Sequence, residues 1–279
     1  MEKNARGHGR PTLLGVYIGL FIVFLMAPII LIIPMSFNSS GSLTFPPSGL
    51  SLQWYQELLS SAPFGRAFRT SIIVTVISTA LSVAIGCLAC YGIARYRFPG
   101  RAALVALLMS PLVFPHIVLG VAMIIFLNAI GLLRSITGLV IATVIVTIPY
   151  VVRILSPAIQ ALDSSVDDVA MVLGAGRLRV LWNVVLPNVR TGMFAASVLC
   201  GLVAFDEFTV ALFITGGDTV TVPVQIYLSS YYGVSPVVAA VGTLLIILSA
   251  LVVIALERAV GIERVLGLPQ LALREEDPS

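Results

Sequence analysis

Six long apolar runs, separated by short polar segments, constrain the fold of this chain more than any other feature of its sequence. Each run has roughly 20 residues or more, enough for a helix to cross about 30 Å of hydrocarbon. Charged residues make up only 10% of the chain, whereas soluble domains hold about 25%. The sequence therefore predicts an all-α, polytopic membrane protein with six transmembrane helices. They cover residues 13–37, 70–94, 102–130, 136–155, 193–214 and 237–256, between tails 1–12 and 257–279.

The distribution of basic residues predicts how these spans are oriented. Short loops rich in Lys and Arg stay on the cytoplasmic side of a membrane. If the N-terminus is cytoplasmic, only Arg66, Arg69 and Arg134 of the sixteen Lys and Arg residues fall on the opposite side. We therefore expect a bacterial inner-membrane protein with both termini and the polar loop 156–190 in the cytoplasm. The net charge of +3 follows from this topology, so no nucleic-acid partner is expected.

The loop 156–190 contains two short amphipathic runs with a glycine-rich break between them. The first run begins near Ser165, which is placed to cap a helix with Asp168 three residues later, as in a capping box. Its apolar positions follow helical spacing and are Val166, Val169, Ala170 and Leu173. Gly174 should end this helix, because glycine adopts left-handed backbone without strain. The second run, with apolar positions at Leu178, Leu181, Trp182 and Val185, should bend or end at Pro187. From these residues alone, a helix lying on the bilayer surface is an equally good interpretation.

The order of residues in this loop resembles the "EAA" loop of ABC importer permeases. The family pattern is Glu-Ala-Ala, three residues, Gly, nine residues, Ile, one residue and Leu-Pro. Here Asp168, Val169 and Val184 replace Glu, the first Ala and Ile, and the spacing is kept. The resemblance implies a coupling helix that docks on a cytoplasmic ATPase. The residues it implicates in this coupling are Asp168, Val169, Ala170, Leu173, Gly174, Trp182 and Pro187.

A second resemblance concerns the last third of the chain. The segments Phe205-Asp206-Glu207-Phe208, Thr221 to Tyr227 and Gly233 to Pro236 are similar to permeases of spermidine/putrescine-type ABC importers. This implies a pore of two permease subunits, homologous or identical, embedded in membrane lipid. It also implies a cytoplasmic ABC ATPase dimer that binds ATP and Mg²⁺, and an extracytoplasmic solute-binding protein that delivers a small solute such as a polyamine.

The residues themselves offer candidates for the substrate path. Carboxylates inside an apolar span are costly and therefore indicate function, and aromatic rings attract cations. We expect Asp206, Glu207, Tyr227 and Tyr231 to contribute, with the two acids about 100° apart on one helix. A structural acidic pair and interfacial tyrosines are the alternatives. His116, after Pro115, is better interpreted as a hydrogen-bonded residue at a helix kink than as a ligand.

Other classes of protein fit the sequence less well than a transport permease does. The chain has one lysine, Lys3, so it has no G-x-x-x-x-G-K-[ST] loop, and ATP hydrolysis of that kind must occur on another chain. We expect no enzyme activity, no cofactor and no metal here, and the three cysteines are expected to be packing residues. An ion-driven secondary transporter using Asp206 or Glu207 remains a rival, although it has no obvious use for the amphipathic loop. A membrane scaffold is a third possibility.

Overall fold

The computed structural model describes residues 13–231, 233 and 235–260. Within them, the side chains of Leu13, Ser164, Val166, Asp168, Ala259 and Val260 lie outside the description. The described residues are mostly helical and contain an isolated β-bridge between Asn38 and Leu50. Its helices are α1 (Leu13–Ser36), α2 (Gln53–Ser60), α3 (Ala62–Arg95), α4 (Arg101–Met109), α5 (His116–Ala129), α6 (Ile136–Gln160), α7 (Ser164–Val172), α8 (Arg177–Val180), α9 (Leu186–Asp206), α10 (Thr209–Ile214), α11 (Val222–Tyr231) and α12 (Pro236–Val260).

The predicted all-α, multi-span fold is confirmed. Five helices are long and apolar enough to cross a membrane, and a bent pair brings the number to six if it counts as one span. The five are Leu14–Ser36, Ala62–Arg95, Ile136–Gln160, Arg177–Asp206 and Pro236–Arg258. The bent pair, Arg101–Leu112 and His116–Ala129, turns by 107°. This bend confirms the expected kink in the third apolar run, where Pro115 precedes α5 and has no backbone N–H to continue a helix.

The predicted bounds of the fifth span were wrong. The helical segment begins at Arg177 and passes through a π-helical turn, Leu181–Val185, before it becomes α9. Leu186 donates its N–H to the carbonyl of Leu181, the wider i to i+5 spacing of a π turn. Pro187 then lies in the first turn of α9, directly after the π turn. The proline therefore neither ends nor interrupts the helix, which stops at Asp206 instead of residue 214.

The chain divides into two compact units. The first contains residues up to Ser61 together with Ser229–Leu248. Its polar segment after α1 is organised by Asn38, which is buried and accepts hydrogen bonds at Oδ1 from the backbone N–H groups of Ser40 and Ser48. The Trp54 indole donates to the Asn38 carbonyl at 2.6 Å. Side-chain and backbone bonds together fix this segment between α1 and α2.

The second unit contains Ala62–Leu228 and the residues from Ser249 onward. Its core lies where α3, α6 and α9 pack against one another. Close approach of α3 and α6 needs a glycine, since a Cβ on Gly86 would lie 2.7 Å from Val151 Cγ1. The free thiols of Cys87, Cys90 and Cys200 are buried in this core, in agreement with their expected packing role.

Candidate functional site

The two acidic residues of the fifth span lie at a break in the helix. Asp206 is the last residue of α9, and Glu207 has extended backbone with φ −65° and ψ 104°. The expected 100° separation on one helix was therefore wrong, because the helix ends between the two residues. Asp206 is exposed, whereas Glu207 is 8% exposed. The break thus gives adjacent carboxylates two different environments.

Glu207 connects the beginnings of two helices. Its Oε1 accepts the backbone N–H of Val210 in the first turn of α10 at 2.8 Å. Its Oε2 lies 3.4 Å from Nδ1 of His116, the first residue of α5. Helix N-termini carry partial positive charge and favour a nearby carboxylate. The Glu207 carboxylate therefore has local partners at both oxygens, which suits a structural role.

Sequence reasoning expected a hydrogen-bonded residue at the α5 kink but did not identify Glu207 as the partner of His116. The two residues are separated by the whole of α6 and the α7–α9 segment. A proline break followed by a histidine, and an acid inside a later apolar span, were the available signals. Neither signal specifies that the two breaks lie side by side.

Of the two candidate tyrosines, one packs against the residue that follows the acidic pair. The ring of Phe208 lies 5.4 Å from that of Tyr227 on α11, centroid to centroid, at an interplanar angle of 53°. Tyr227 is exposed. Tyr231 is also exposed but belongs to the other compact unit. The structure therefore brings Tyr227 to the residue that follows Asp206 and Glu207 along the chain.

Helix α7 begins two residues earlier than the capping prediction placed it. Asp163 is the N-cap, and its Oδ1 accepts the backbone N–H of Ser165 at 2.9 Å. Ser165 is already helical, so the assignment of Ser165 as the cap was wrong. The side chain of its expected partner, Asp168, lies outside the described residues. The hydrogen bond from Ser165 lowers the pKa of Asp163 below its ordinary value of 3.8.

The bend after α7 depends on Gly174. This residue has φ +88°, the left-handed conformation in which glycine is favoured. Ala175 donates its N–H to the Ala170 carbonyl at 3.0 Å, and Gly174 donates to Met171 at 3.0 Å. These bonds close the end of α7 in the manner of a glycine C-cap. The predicted break at Gly174 is confirmed, whereas Gly176 has an ordinary φ of −67°.

Residues Ser164–Val185, called here the α7–α8 hairpin, are apolar on both sides. On one side, Ala170, Ala175 and Val180 pack against the core, as do Leu181 and Val185. The opposite side remains exposed, with Leu173 82% and Trp182 66% accessible. Also exposed there are Val169, Met171, Val172 and Leu178. The expected single apolar face is therefore divided between the core and an exposed surface, and clustered exposed apolar side chains are typical of a protein or membrane contact.

Comparison with known proteins identifies the family. Residues 82–261 match the model of the binding-protein-dependent transport system inner membrane component. The chain belongs to this family. The inner membrane component described here is similar to the spermidine/putrescine transport system permease protein PotC of Escherichia coli K12. The two are 29% identical over 232 residues, which are 83% of this chain and 88% of PotC.

Other relatives of this inner membrane component are also named as permease proteins. The putrescine transport system permease protein PotI of Escherichia coli K12 is 28% identical over 80% of this chain and 82% of its own length. The inner membrane ABC transporter permease protein YcjP of the same strain is 27% identical over the same shares of the two chains.

Two solved structures share the fold of this component. A chain of the bacterial alginate ABC transporter, in complex with alginate pentasaccharide-bound periplasmic protein, aligns with a TM-score of 0.68 and 16% identity, covering 90% of this chain and 92% of its own. A chain of the inward-facing MetNI methionine ABC transporter has a TM-score of 0.59 and 19% identity, covering 72% and 97%. The chain is thus a multi-pass inner-membrane permease subunit of an ABC importer, and the family resemblance predicted from its sequence is confirmed.

Proposed function

We propose that this permease forms part of the membrane path for a small polyamine such as spermidine or putrescine. The observation that carries the proposal is the similarity to PotC and PotI over four fifths or more of this chain. Both relatives are named for these cationic substrates. The local chemistry agrees, because a carboxylate and aromatic rings are groups that attract alkylammonium cations.

Asp206 is the acidic residue that we assign to the path. Its side chain is exposed at the C-terminal end of α9, where the helix dipole also favours a cation. The Glu207 carboxylate already contacts the Val210 N–H and the His116 ring. We propose a structural role for it beside the path. Tyr227, which is exposed, would contribute an aromatic face, and Tyr231 stays a separate prediction from the sequence.

The exposed side of the α7–α8 hairpin is proposed to dock on a cytoplasmic ABC ATPase dimer. Its apolar side chains suit burial by a partner protein, and a secondary transporter has no obvious use for such a surface. The coupling residues are Asp168, Val169, Ala170, Leu173, Gly174, Trp182 and Pro187. ATP and Mg²⁺ would bind on the ATPase. A second permease subunit, an extracytoplasmic solute-binding protein and cytoplasmic termini complete the proposed assembly.

Uptake of labelled spermidine and putrescine tests the substrate. We would compare cells deleted for this chain with the same cells carrying a wild-type or an Asp206→Asn copy, with membrane insertion checked for each. The proposal predicts that deletion lowers uptake, that the wild-type copy restores it and that Asp206→Asn does not. If neither polyamine's uptake changes on deletion, the substrate assignment is wrong and another small solute must be sought.

A further inference from the structure

The C-terminal end of α3 and the residue after it contact both helices of the α7–α8 hairpin. Arg95 is the last residue of α3, and its Nε lies 2.7 Å from Oδ2 of Asp167 on α7. Both side chains are largely buried, at 11% and 8% exposure. Arg95 Nη1 also donates to the Leu162 carbonyl, at 3.1 Å, in the turn that leads into α7. The first arm of the hairpin is therefore attached to α3 through a buried charge pair.

The next residue contacts the second arm. The guanidinium carbon of Arg177, the first residue of α8, lies 5.1 Å from the centroid of the Tyr96 ring. This distance is within the range of a cation–π contact. Tyr91 packs edge-on against Tyr96, with centroids 6.2 Å apart and the planes at 86°. Two consecutive residues, Arg95 and Tyr96, thus contact the hairpin on either side of the Gly174 bend.

A buried ion pair is a poor means of adding stability alone. Removing two charges from water offsets most of their attraction, and well-packed apolar residues often serve equally well. Neither Arg95 Nε nor Asp167 Oδ2 makes a hydrogen bond with a described residue, so what the pair provides is position, because separating the two residues would leave two buried charges without a counter-charge. Arg95 and Asp167 therefore suit a contact that must hold one relative position of α3 and α7.

The N-terminal half of α3 is hydrogen-bonded to Asp218 and Val222. Thr70 Oγ1 donates to the Asp218 carbonyl at 3.4 Å, and the buried Ser71 Oγ accepts the Val222 N–H at 2.8 Å. Val222 begins α11, which carries Tyr227. Between Ser71 and Arg95 α3 is one uninterrupted helix, about 36 Å long at 1.5 Å per residue. After Pro63 its sequence contains no proline that would kink it.

We propose that α3 acts as a rigid rod that carries movement of the α7–α8 hairpin to residues 217–222. Arg95 and Tyr96 are its positioning residues at the hairpin, and Thr70 and Ser71 hold its other end. This inference rests on the proposed docking of the hairpin on an ATPase. A push on the hairpin would shift α3 along its length, and the hydrogen bonds to Asp218 and Val222 would move the segment that precedes Tyr227.

Variants of the charge pair separate this role from simple packing. The complete transporter would be reconstituted in proteoliposomes with Arg95→Met/Asp167→Asn, which removes both buried charges, and with Arg95→Glu/Asp167→Lys, which reverses them. ATPase co-purification, ATP hydrolysis and uptake of labelled putrescine would be measured for each. The neutral pair should assemble and hydrolyse ATP but lose about tenfold in uptake per ATP, within the range typical of coupling between sites. The reversed pair should regain a substantial part of that loss.

Two results would overturn the proposed role of α3. One is a neutral pair that transports as well as the wild type, and the other is a neutral pair that no longer binds the ATPase, which would make the contact part of docking or folding. Leu173→Glu tests the underlying function separately, because it places a charge on the exposed docking face without touching Arg95. It should release the ATPase. If the ATPase stays bound to Leu173→Glu, the proposed docking fails whatever the charge pair does.

Discussion

Replacing Gly174 by alanine should weaken coupling through backbone strain alone. Gly174 has φ +88°, and a Cβ built on it would meet nothing within 4 Å. The change therefore adds no clash, and its cost is the roughly 1–2 kcal/mol that an L-residue loses in the left-handed region. A cost of this size corresponds to a factor of about 5–30 in an equilibrium. If docking requires the bent hairpin, affinity for the ATPase should fall by that factor.

Two neighbouring substitutions provide matched controls. Gly176→Ala changes a glycine two residues away that has φ −67° and equally open space around its Cβ position, so it should bind normally. Gly174→Asn should lie between the two, because asparagine tolerates left-handed backbone better than alanine. The assay is titration of purified ATPase onto the permease in nanodiscs. Equal losses for Gly174→Ala and Gly176→Ala, or no loss for Gly174→Ala, would refute the reasoning.

The remaining predictions concern the acidic pair, the exposed face and the cap of α7. Asp206→Asn should insert normally and lose about tenfold in uptake, since bonds to charged groups contribute ~1.5–3 kcal/mol. Glu207→Gln should instead lower the unfolding temperature while uptake per folded molecule is kept. Trp182→Ala should weaken ATPase binding by about 30-fold, the size of an interface hot spot, without changing thermal unfolding. Hydrogen-exchange protection of α7 should fall as the pH drops below 3.8 and through the lowered pKa of Asp163, because the carboxylate cap is lost on protonation. Asp163→Asn, which caps without titrating, should reduce that pH dependence.

The multi-span helical fold could be predicted because apolar length depends little on tertiary contacts. The third run shows this, since Pro115 predicts a kink where the structure bends by 107°. The bounds of the fifth span could not be predicted in the same way. A π turn before Pro187 extends the helix toward Arg177, and no propensity or periodicity indicates such a turn. The apolar run also continues past Asp206, although helix α9 ends at that residue.

The candidate site was predictable in its residues but not in their roles. Adjacent acids in an apolar span drew attention to Asp206 and Glu207, yet their separation into exposed and buried positions depends on His116 and Val210. These partners approach only when two helix breaks meet. The bend at Gly174 could be predicted, because glycine's tolerance of left-handed backbone depends on the residue itself and not on tertiary contacts. Helical spacing could not decide which apolar residues of the hairpin face the core.

Site-directed cross-linking tests the central claim, that the exposed side of the hairpin binds an ATPase, most directly. The native cysteines Cys87, Cys90 and Cys200 are buried, so a thiol introduced at Leu173 should be the reactive one. Leu59→Cys, at an exposed position in the other unit, is the control. In membranes containing the assembled transporter, a thiol-to-amine cross-linker should join Leu173→Cys to the ATPase and leave Leu59→Cys unjoined. Failure at Leu173 in an assembled complex, or an equal yield at Leu59, would contradict the account.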